Sequence, residues 1–185
     1  AGSVYAAAVI LPQDQTAWAA LNGARDSKQL SPARREALAA RIAEVALAVA
    51  VGYAETDEID TLGIVPATRL AMRRAVAALE IAPEALVIDA LALPAITLPQ
   101  RVFPYADAHS LSVASASIIA KINRDHWMVN KAEGVFPGYG FAQHKGYGTK
   151  QHQQALERLG ICALHRRTFR PIALHIEKAS QGASL

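Results

Sequence analysis

The chain of 185 residues is 52% hydrophobic and 6% aromatic, which predicts one compact globular domain and excludes a disordered chain. Its formal net charge of +3 is compatible with binding a polyanion, but an ordinary soluble protein can carry the same excess of lysine and arginine. The single cysteine, Cys162, excludes an intrachain disulfide and fits a reducing compartment such as the cytoplasm. No apolar run approaches the length of a transmembrane helix, so we expect no membrane association.

The first half of the chain predicts strands separated by helices. Ser31 followed by Pro32 is a strong helix start, because serine caps a helix and proline suits its first position. The predicted elements are a strand at 4–11, a loop or short helical excursion at 12–26, a helix from Ser31 through Glu44, a strand at 46–54 and a helical region opening at 57–60.

The second half continues the alternation. The predicted elements are a strand at 85–88 that ends in Asp89, a strand at 101–105, a helix at 111–131, a loop at 136–148 and a helix at 150–159. Strands separated by helices indicate an α/β fold, and we expect a mixed sheet because the early strands can pair antiparallel. We place the domain at 1–173 and expect the polar stretch 174–185 to be a frayed tail.

Two aspartates follow predicted strands. Asp89 ends the apolar run 86–88, and Asp107 stands 18 residues later, between the next strand and the long helix. Ligand-binding residues of open α/β sheets lie at the carboxyl ends of strands, and carboxylates are ligands that magnesium prefers. The alternative is structural: Asp89 can form a turn, and Asp107 or Ser110 can cap the helix that follows.

A glycine-rich and aromatic loop at 137–149 is the second informative stretch. Glycines let a backbone approach a ligand, aromatic rings stack on sugars or bases, and Lys145 and His144 can meet phosphate. The equally good alternative is a surface loop whose aromatic rings fill the core. The six histidines show no metal-binding spacing, and we expect His126, His152 and His175 at the surface.

Two further polar stretches are informative, and each has a structural alternative. The cluster 165–170 contains three arginines, which suit phosphate contact but also fit a solvated basic turn. The segment Asp26-Ser27-Lys28 is a polar turn ahead of the Ser31 helix and can be plain loop chemistry.

Six segments stand in a recognisable order: DSKQLS at 26–31, EIDTLGI at 58–64, AMRRAV at 71–76, SASIIAKINRD at 115–125, YGFAQHKGYGT at 139–149 and HRRTF at 165–169. This order resembles that of the ribonuclease HII family. The resemblance runs from residue 4 to about residue 173, and the ordered set is far more specific than any one motif.

The resemblance implies a ribonuclease H-like fold, a mixed sheet flanked by helices. It implies hydrolysis of the RNA strand of RNA–DNA hybrids and cleavage of DNA at embedded ribonucleotides. The family's four carboxylates hold Mg²⁺ or Mn²⁺ at the scissile phosphate, and the third and fourth correspond to Asp89 and Asp107, which are then both catalytic and metal-binding.

The resemblance also implies substrate-binding residues. Tyr147 corresponds to the tyrosine that packs against the nucleotide beside the RNA–DNA junction and helps to sense the ribose. Lys28, Lys145 and Arg166 are expected to contact phosphates, with Ser27 in the same turn as Lys28. We expect a cytoplasmic monomer.

The family's first two carboxylates, an Asp-Glu pair, and its Gly-Arg-Gly turn have no match in these residues. On this ground the sequence predicts that the first strand is missing and that the chain as written is inactive or impaired. It leaves two alternatives: a non-catalytic binder of RNA–DNA hybrids and, with less support, a junction resolvase. Alanine at position 90 also departs from the family, which has glycine after the third carboxylate.

Overall fold

The computed structural model describes residues 1–24 and 27–182, and it is an α/β structure. Asp26 of the predicted DSK turn lies outside the described residues. The strands are β1 (Val4–Ile10), β2 (Ala48–Ala54), β3 (Leu86–Asp89) and β4 (Gln100–Phe103). The helices are α1 (Gln15–Ala20), α2 (Pro32–Val45), α3 (Thr56–Leu62), α4 (Ile64–Ala77), α5 (Leu111–Trp127), α6 (Glu133–Val135), α7 (Phe141–His144), α8 (Lys150–Leu159) and α9 (Arg170–Gly182).

Three predicted segments differ from the structure in the type of secondary structure. The long helix predicted at 111–131 keeps its α-helical form as α5 but widens into a π-helical turn at Met128–Ala132. The predicted loop at 136–148 contains the short helix α7. The stretch where we expected a frayed tail lies in α9 as far as residue 182.

The strands form two two-stranded sheets in the described part of the chain, β1 with β2 and β3 with β4. The β3–β4 pair is parallel, with Asp89 opposite Phe103. No helix among the described residues is long and apolar enough to cross a membrane.

The chain divides into two compact units. The strand unit is formed by Tyr5–Tyr53 and Thr68–Asn123, and the terminal unit by Ala1–Val4, Ala54–Ala67 and the chain from Arg124 onward.

Two apolar clusters are found among the described residues of the strand unit. One joins α2 to α5 through buried leucine and isoleucine side chains, and the other packs Leu86 and Ile88 of β3 with Leu93. Because alternate residues of β3 point to opposite faces, burial of Leu86 and Ile88 directs Asp89 away from this core. The second cluster therefore fixes the strand whose end carries the predicted carboxylate.

The terminal unit has a core rich in aromatic rings. Tyr139 and Phe141 stack at a centroid distance of 5.2 Å and pack with Met128 and Leu164. These rings fill the interior below the glycine-rich loop, as the structural alternative predicted for that loop. The same loop nevertheless exposes one ring, that of Tyr147.

Replacing Ser115 by alanine is expected to stabilise the protein by about 1 kcal/mol. The Ser115 hydroxyl is fully buried and has no hydrogen-bond partner within the described ranges, so its desolvation is uncompensated. The matched control is Ser117→Ala in the same helix. It removes a 2.9 Å hydroxyl–hydroxyl bond to buried Ser27 and should destabilise by a similar amount. Urea unfolding of both variants checks the opposite signs, and a stability loss in Ser115→Ala would contradict the argument.

Candidate functional site

The two predicted carboxylates lie at the same end of the β3–β4 pair, in the strand unit. Asp89 is the last residue of β3, and its Oδ1 accepts a hydrogen bond from the N–H of Ala106 at 3.1 Å. Ala106 opens the short 3-10 turn Ala106–Ala108, which contains Asp107. Both aspartates are half-buried. The structure therefore places the Asp89 side chain beside the backbone of the turn that contains Asp107.

The backbone is strained beside each of these aspartates. Ala90 has φ 61° and Tyr105 has φ 57°, both in the left-handed region that disfavours residues with a Cβ. Ala90 is the position where the resembled family has glycine, which adopts this conformation without that penalty. Left-handed residues cluster where the surrounding structure fixes side chains for function, so the strain is consistent with a site here.

The carboxylates fit a hard divalent cation by their chemistry. Two aspartate side chains supply oxygen ligands of the type that Mg²⁺ and Mn²⁺ accept. One oxygen of Asp89 is oriented by the Ala106 N–H, and a carboxylate can accept such a bond while its other oxygen binds a cation. No group of three or more histidine, cysteine or acidic residues suited to a metal exists among residues 1–24 and 27–182.

Tyr147, in the terminal unit, presents its ring to solvent over an arginine. The residue is 52% exposed, and the Arg124 guanidinium lies 4.9 Å from the ring centroid. Arg124 in turn donates hydrogen bonds to the carbonyl oxygens of Lys145 at 3.0 Å and Ala1 at 3.3 Å. Part of Tyr147 is thus exposed to solvent, while Arg124 packs against its ring. Arg124 belongs to the motif at 115–125, and its contact with Tyr147 was not predicted from the sequence.

Three histidines lie buried beneath this loop, which corrects two predictions. His152 is 6% exposed and not at the surface, and His144 is also buried and cannot meet a phosphate. The His144 ring uses both nitrogens internally, with Nε2 against the Tyr139 carbonyl and Nδ1 accepting the Gly146 N–H. His152 and His165 are joined by a 3.0 Å hydrogen bond between their Nε2 atoms.

These buried histidines should make the protein less stable in acid. Burial, and secondarily the neighbouring His152, lower the pKa of His165 from 6.5 to about 4, and burial also lowers the pKa of His152. Between pH 6.5 and 4 the unfolded chain therefore binds protons at these histidines more readily than the folded protein does. The contribution of neutral His165 to the free energy of unfolding is fully present above pH 6.5. It is lost as the pH falls toward about 4, and the loss is at most about 3 kcal/mol.

Unfolding free energy measured from pH 8 to pH 4 checks this expectation. In His165→Asn the dependence of the unfolding free energy on pH should be flatter than in the wild type. Equal slopes in the wild type and His165→Asn would count against the assignment.

The two residues that follow Arg166 in the terminal unit are held by Asp60 of α3. Asp60 accepts hydrogen bonds from the N–H groups of Arg167 at 2.8 Å and Thr168 at 3.0 Å, and from the Thr168 hydroxyl at 2.7 Å. Burial alone would raise the pKa of Asp60, but these bonds and the Arg167 charge lower it below its usual value. Arg166 itself donates from Nε to the Gly2 carbonyl at 2.9 Å and lies half-buried over Phe169.

The remaining predicted substrate contacts have different surroundings. Ser27 is buried against Ser117 and anchors its turn, whereas the next residue, Lys28, is exposed. The Lys145 ammonium donates to the carbonyl oxygens of Ala142 at 2.6 Å and Gln143 at 3.2 Å, near the end of α7. Lys145 must give up or share its carbonyl bonds to meet a ligand.

Comparison with known proteins decides the family. A family model described as ribonuclease HII matches residues 1–172. Ribonuclease HII of Geobacillus thermodenitrificans is 51% identical over 172 residues, covering 93% of this chain and 64% of the relative. A ribonuclease HII of Thermus thermophilus is 50% identical over 173 residues, covering 94% of this chain and 81% of the relative. The chain belongs to the ribonuclease HII family.

Solved structures give the same fold. Ribonuclease H2 from Pyrococcus horikoshii superposes with a TM-score of 0.74 at 22% identity, covering 95% of this chain and 98% of that one. Ribonuclease HII of Archaeoglobus fulgidus, solved in complex with PCNA, also gives 0.74 at 22% identity, over 91% and 88%. The ribonuclease H-like α/β fold and the ribonuclease HII resemblance are thus confirmed. The chain spans about two thirds of the length of the Geobacillus relative.

Proposed function

We propose that this protein is a metal-dependent endonuclease that hydrolyses the RNA strand of RNA–DNA hybrids and cuts DNA at embedded ribonucleotides. One observation carries the proposal: the Ala106 N–H holds Asp89 beside the turn that contains Asp107, at the carboxyl end of a parallel strand pair. In a chain of the ribonuclease HII family, two carboxylates at that place support cleavage more directly than binding alone.

Asp89 and Asp107 would hold Mg²⁺ or Mn²⁺ through their oxygens. A divalent ion at a phosphodiester lowers the pKa of bound water and offsets negative charge on the leaving oxygen. The protein contributes ligands in fixed positions: the Ala106 N–H restricts the Asp89 side chain, and the 3-10 turn restricts Asp107.

Tyr147 would recognise the nucleotide at the RNA–DNA junction. Its ring is exposed, aromatic and supported by Arg124, which suits stacking against a sugar or base. Lys28 and Arg166 would contact phosphates, and Lys145 would do so after giving up or sharing the carbonyl bonds at the end of α7. Cys162 is a free thiol, and we propose a monomer that acts in the reducing cytoplasm.

The test uses three labelled duplexes: RNA–DNA hybrid, DNA with one ribonucleotide, and the same DNA without it. We expect cleavage of the first two in Mg²⁺ or Mn²⁺, at a rate impaired as predicted from the sequence, with none in EDTA and none of the third. Cleavage that ignores the ribonucleotide would contradict the proposal. Selective binding without any cleavage would favour the non-catalytic hybrid binder instead.

A further inference from the structure

The backbone on both sides of the Tyr147 side chain is bound to buried histidines. The N–H of Gly146 donates to His144 Nδ1 at 3.1 Å, and the carbonyl of Tyr147 lies 2.9 Å from His152 Nδ1. The same carbonyl accepts a hydrogen bond from the N–H of Thr149 at 2.8 Å, which closes a tight turn. The exposed tyrosine is therefore positioned from its main chain, below the surface it presents.

The hydrogen-bond partners allow one arrangement of protons on His152 and His165. The N–H of Cys162 donates to His165 Nδ1 at 2.9 Å, so the proton of neutral His165 is assigned to Nε2. That proton points at His152 Nε2, which must accept it at 3.0 Å. His152 then carries its proton on Nδ1 and donates it to the Tyr147 carbonyl, which can only accept. The direction of every bond is fixed from Cys162 to Tyr147.

Packing holds the His152 ring in the plane that this chain requires. His144 stacks on it at a centroid distance of 4.4 Å, and Phe141 contacts it edge-on at 5.5 Å. His152 and His165 are 6% and 2% exposed, so water does not compete for their nitrogens. A ring flip would place a C–H against the Tyr147 carbonyl and leave buried polar groups unpaired, which is costly.

We propose that His152 is a positioning residue for Tyr147. The hydrogen bond from His152 Nδ1–H to the Tyr147 carbonyl holds the tyrosine in place, and the placed ring sets the selectivity for ribonucleotide-containing duplexes. The inference rests on the proposed function, because it assigns His152 a role in recognition by the Tyr147 ring. His165 fixes the tautomer of His152, and His144 Nδ1 accepts the N–H of the preceding residue, Gly146. None of the three histidines touches the substrate.

Two substitutions at the same position separate the hydrogen bond from packing. His152→Asn keeps a donor at the place of Nδ1, whereas His152→Gln keeps a polar group at the place of Nε2 and loses that donor. Binding of the 185-residue chain is measured in EDTA to two duplexes that differ by one ribonucleotide. Selectivity is the ratio of the two dissociation constants. We expect His152→Gln to lose about tenfold in selectivity, approaching Tyr147→Ala, and His152→Asn to stay within about twofold of wild type.

Two outcomes of the binding experiment would overturn the proposal. Wild-type selectivity in both variants would show that His152 does not act on Tyr147. Equal loss in both would show that the imidazole acts by packing rather than through its donor. Thermal unfolding of each variant must show a folded protein at the assay temperature. Affinity for the all-DNA duplex should be unchanged, because phosphate contacts do not depend on the Tyr147 ring.

Amide hydrogen exchange without nucleic acid gives a second readout that does not depend on the proposed function. His152→Gln should accelerate exchange of the Gly146 and Thr149 amides about tenfold or more, and His152→Asn should not. If the wild type shows no ribonucleotide selectivity but exchange responds in this way, the proposed function fails and the positioning of Tyr147 stands. Unchanged exchange in His152→Gln overturns the positioning itself.

Discussion

Replacing Gly52 by alanine is expected to destabilise the protein by about 3 kcal/mol or more, a large part of a typical domain's stability. Gly52 lies buried in β2, in the strand unit. A Cβ there would overlap the Ala71 carbonyl oxygen and the Ala75 amide nitrogen of α4, and would lie 2.9 Å from the Arg74 Cβ. The first two are backbone atoms of a helix, so they cannot move without disturbing its hydrogen bonds.

Gly134→Ala is the matched control for this substitution. Gly134 lies in α6, and an added Cβ would meet nothing within 4 Å. Alanine should therefore be neutral or stabilise by up to about 1 kcal/mol, because it favours the helix. Chemical denaturation of both variants measures the difference. If Gly52→Ala unfolds at the wild-type midpoint, the close contact between β2 and α4 is not required.

The elements that carry the site follow from local patterns in the sequence. The apolar run before Asp89 predicts β3, and the Ser31 cap predicts the start of α2, where the Ser31 hydroxyl accepts the Arg34 N–H. Both depend on a few neighbouring residues. The pairing of Asp89 with the turn at Asp107 follows from the rule that ligand-binding residues gather at the carboxyl ends of strands.

The division into two units could not be predicted in this way. One boundary falls inside α4, between Ala67 and Thr68, and another inside α5, between Asn123 and Arg124. A linker rich in glycine or proline marks a boundary in sequence, but a continuous helix does not. Chain contacts between distant residues decide the division, and a one-dimensional pattern does not record them.

The histidine network was missed although part of its signal was present. His152, Ala155 and Leu156 of α8 are buried at helix-face spacing, so the apolar side of this helix included a histidine. His152 has polar neighbours along the chain and was predicted to lie at the surface. Its real partners, His165 and the Tyr147 carbonyl, come from other segments, and only the fold brings them together.

Asp107→Asn is expected to reduce metal-dependent cleavage by about 100-fold or more relative to the unsubstituted chain, a barrier increase of about 2.7 kcal/mol. Asparagine has nearly the shape of aspartate but lacks its negative charge, so it is a poor ligand for Mg²⁺. The 3-10 turn and the Ala106 N–H that binds Asp89 involve the backbone and should persist. Single-turnover cleavage of the duplex with one ribonucleotide measures the loss.

Glu84→Gln is the matched control for Asp107→Asn. Glu84 is an exposed carboxylate just before β3, at the opposite end of the strand from Asp89, and its substitution should leave cleavage unchanged. Asp107→Asn should also bind the ribonucleotide duplex in EDTA with wild-type affinity, because Tyr147 and the basic residues are unaltered. Loss of cleavage with retained selective binding would assign chemistry to the strand-end carboxylates and recognition to the Tyr147 loop. Retained cleavage would remove Asp107 from the chemistry, and loss of both would mean that the substitution disturbs more than a metal ligand.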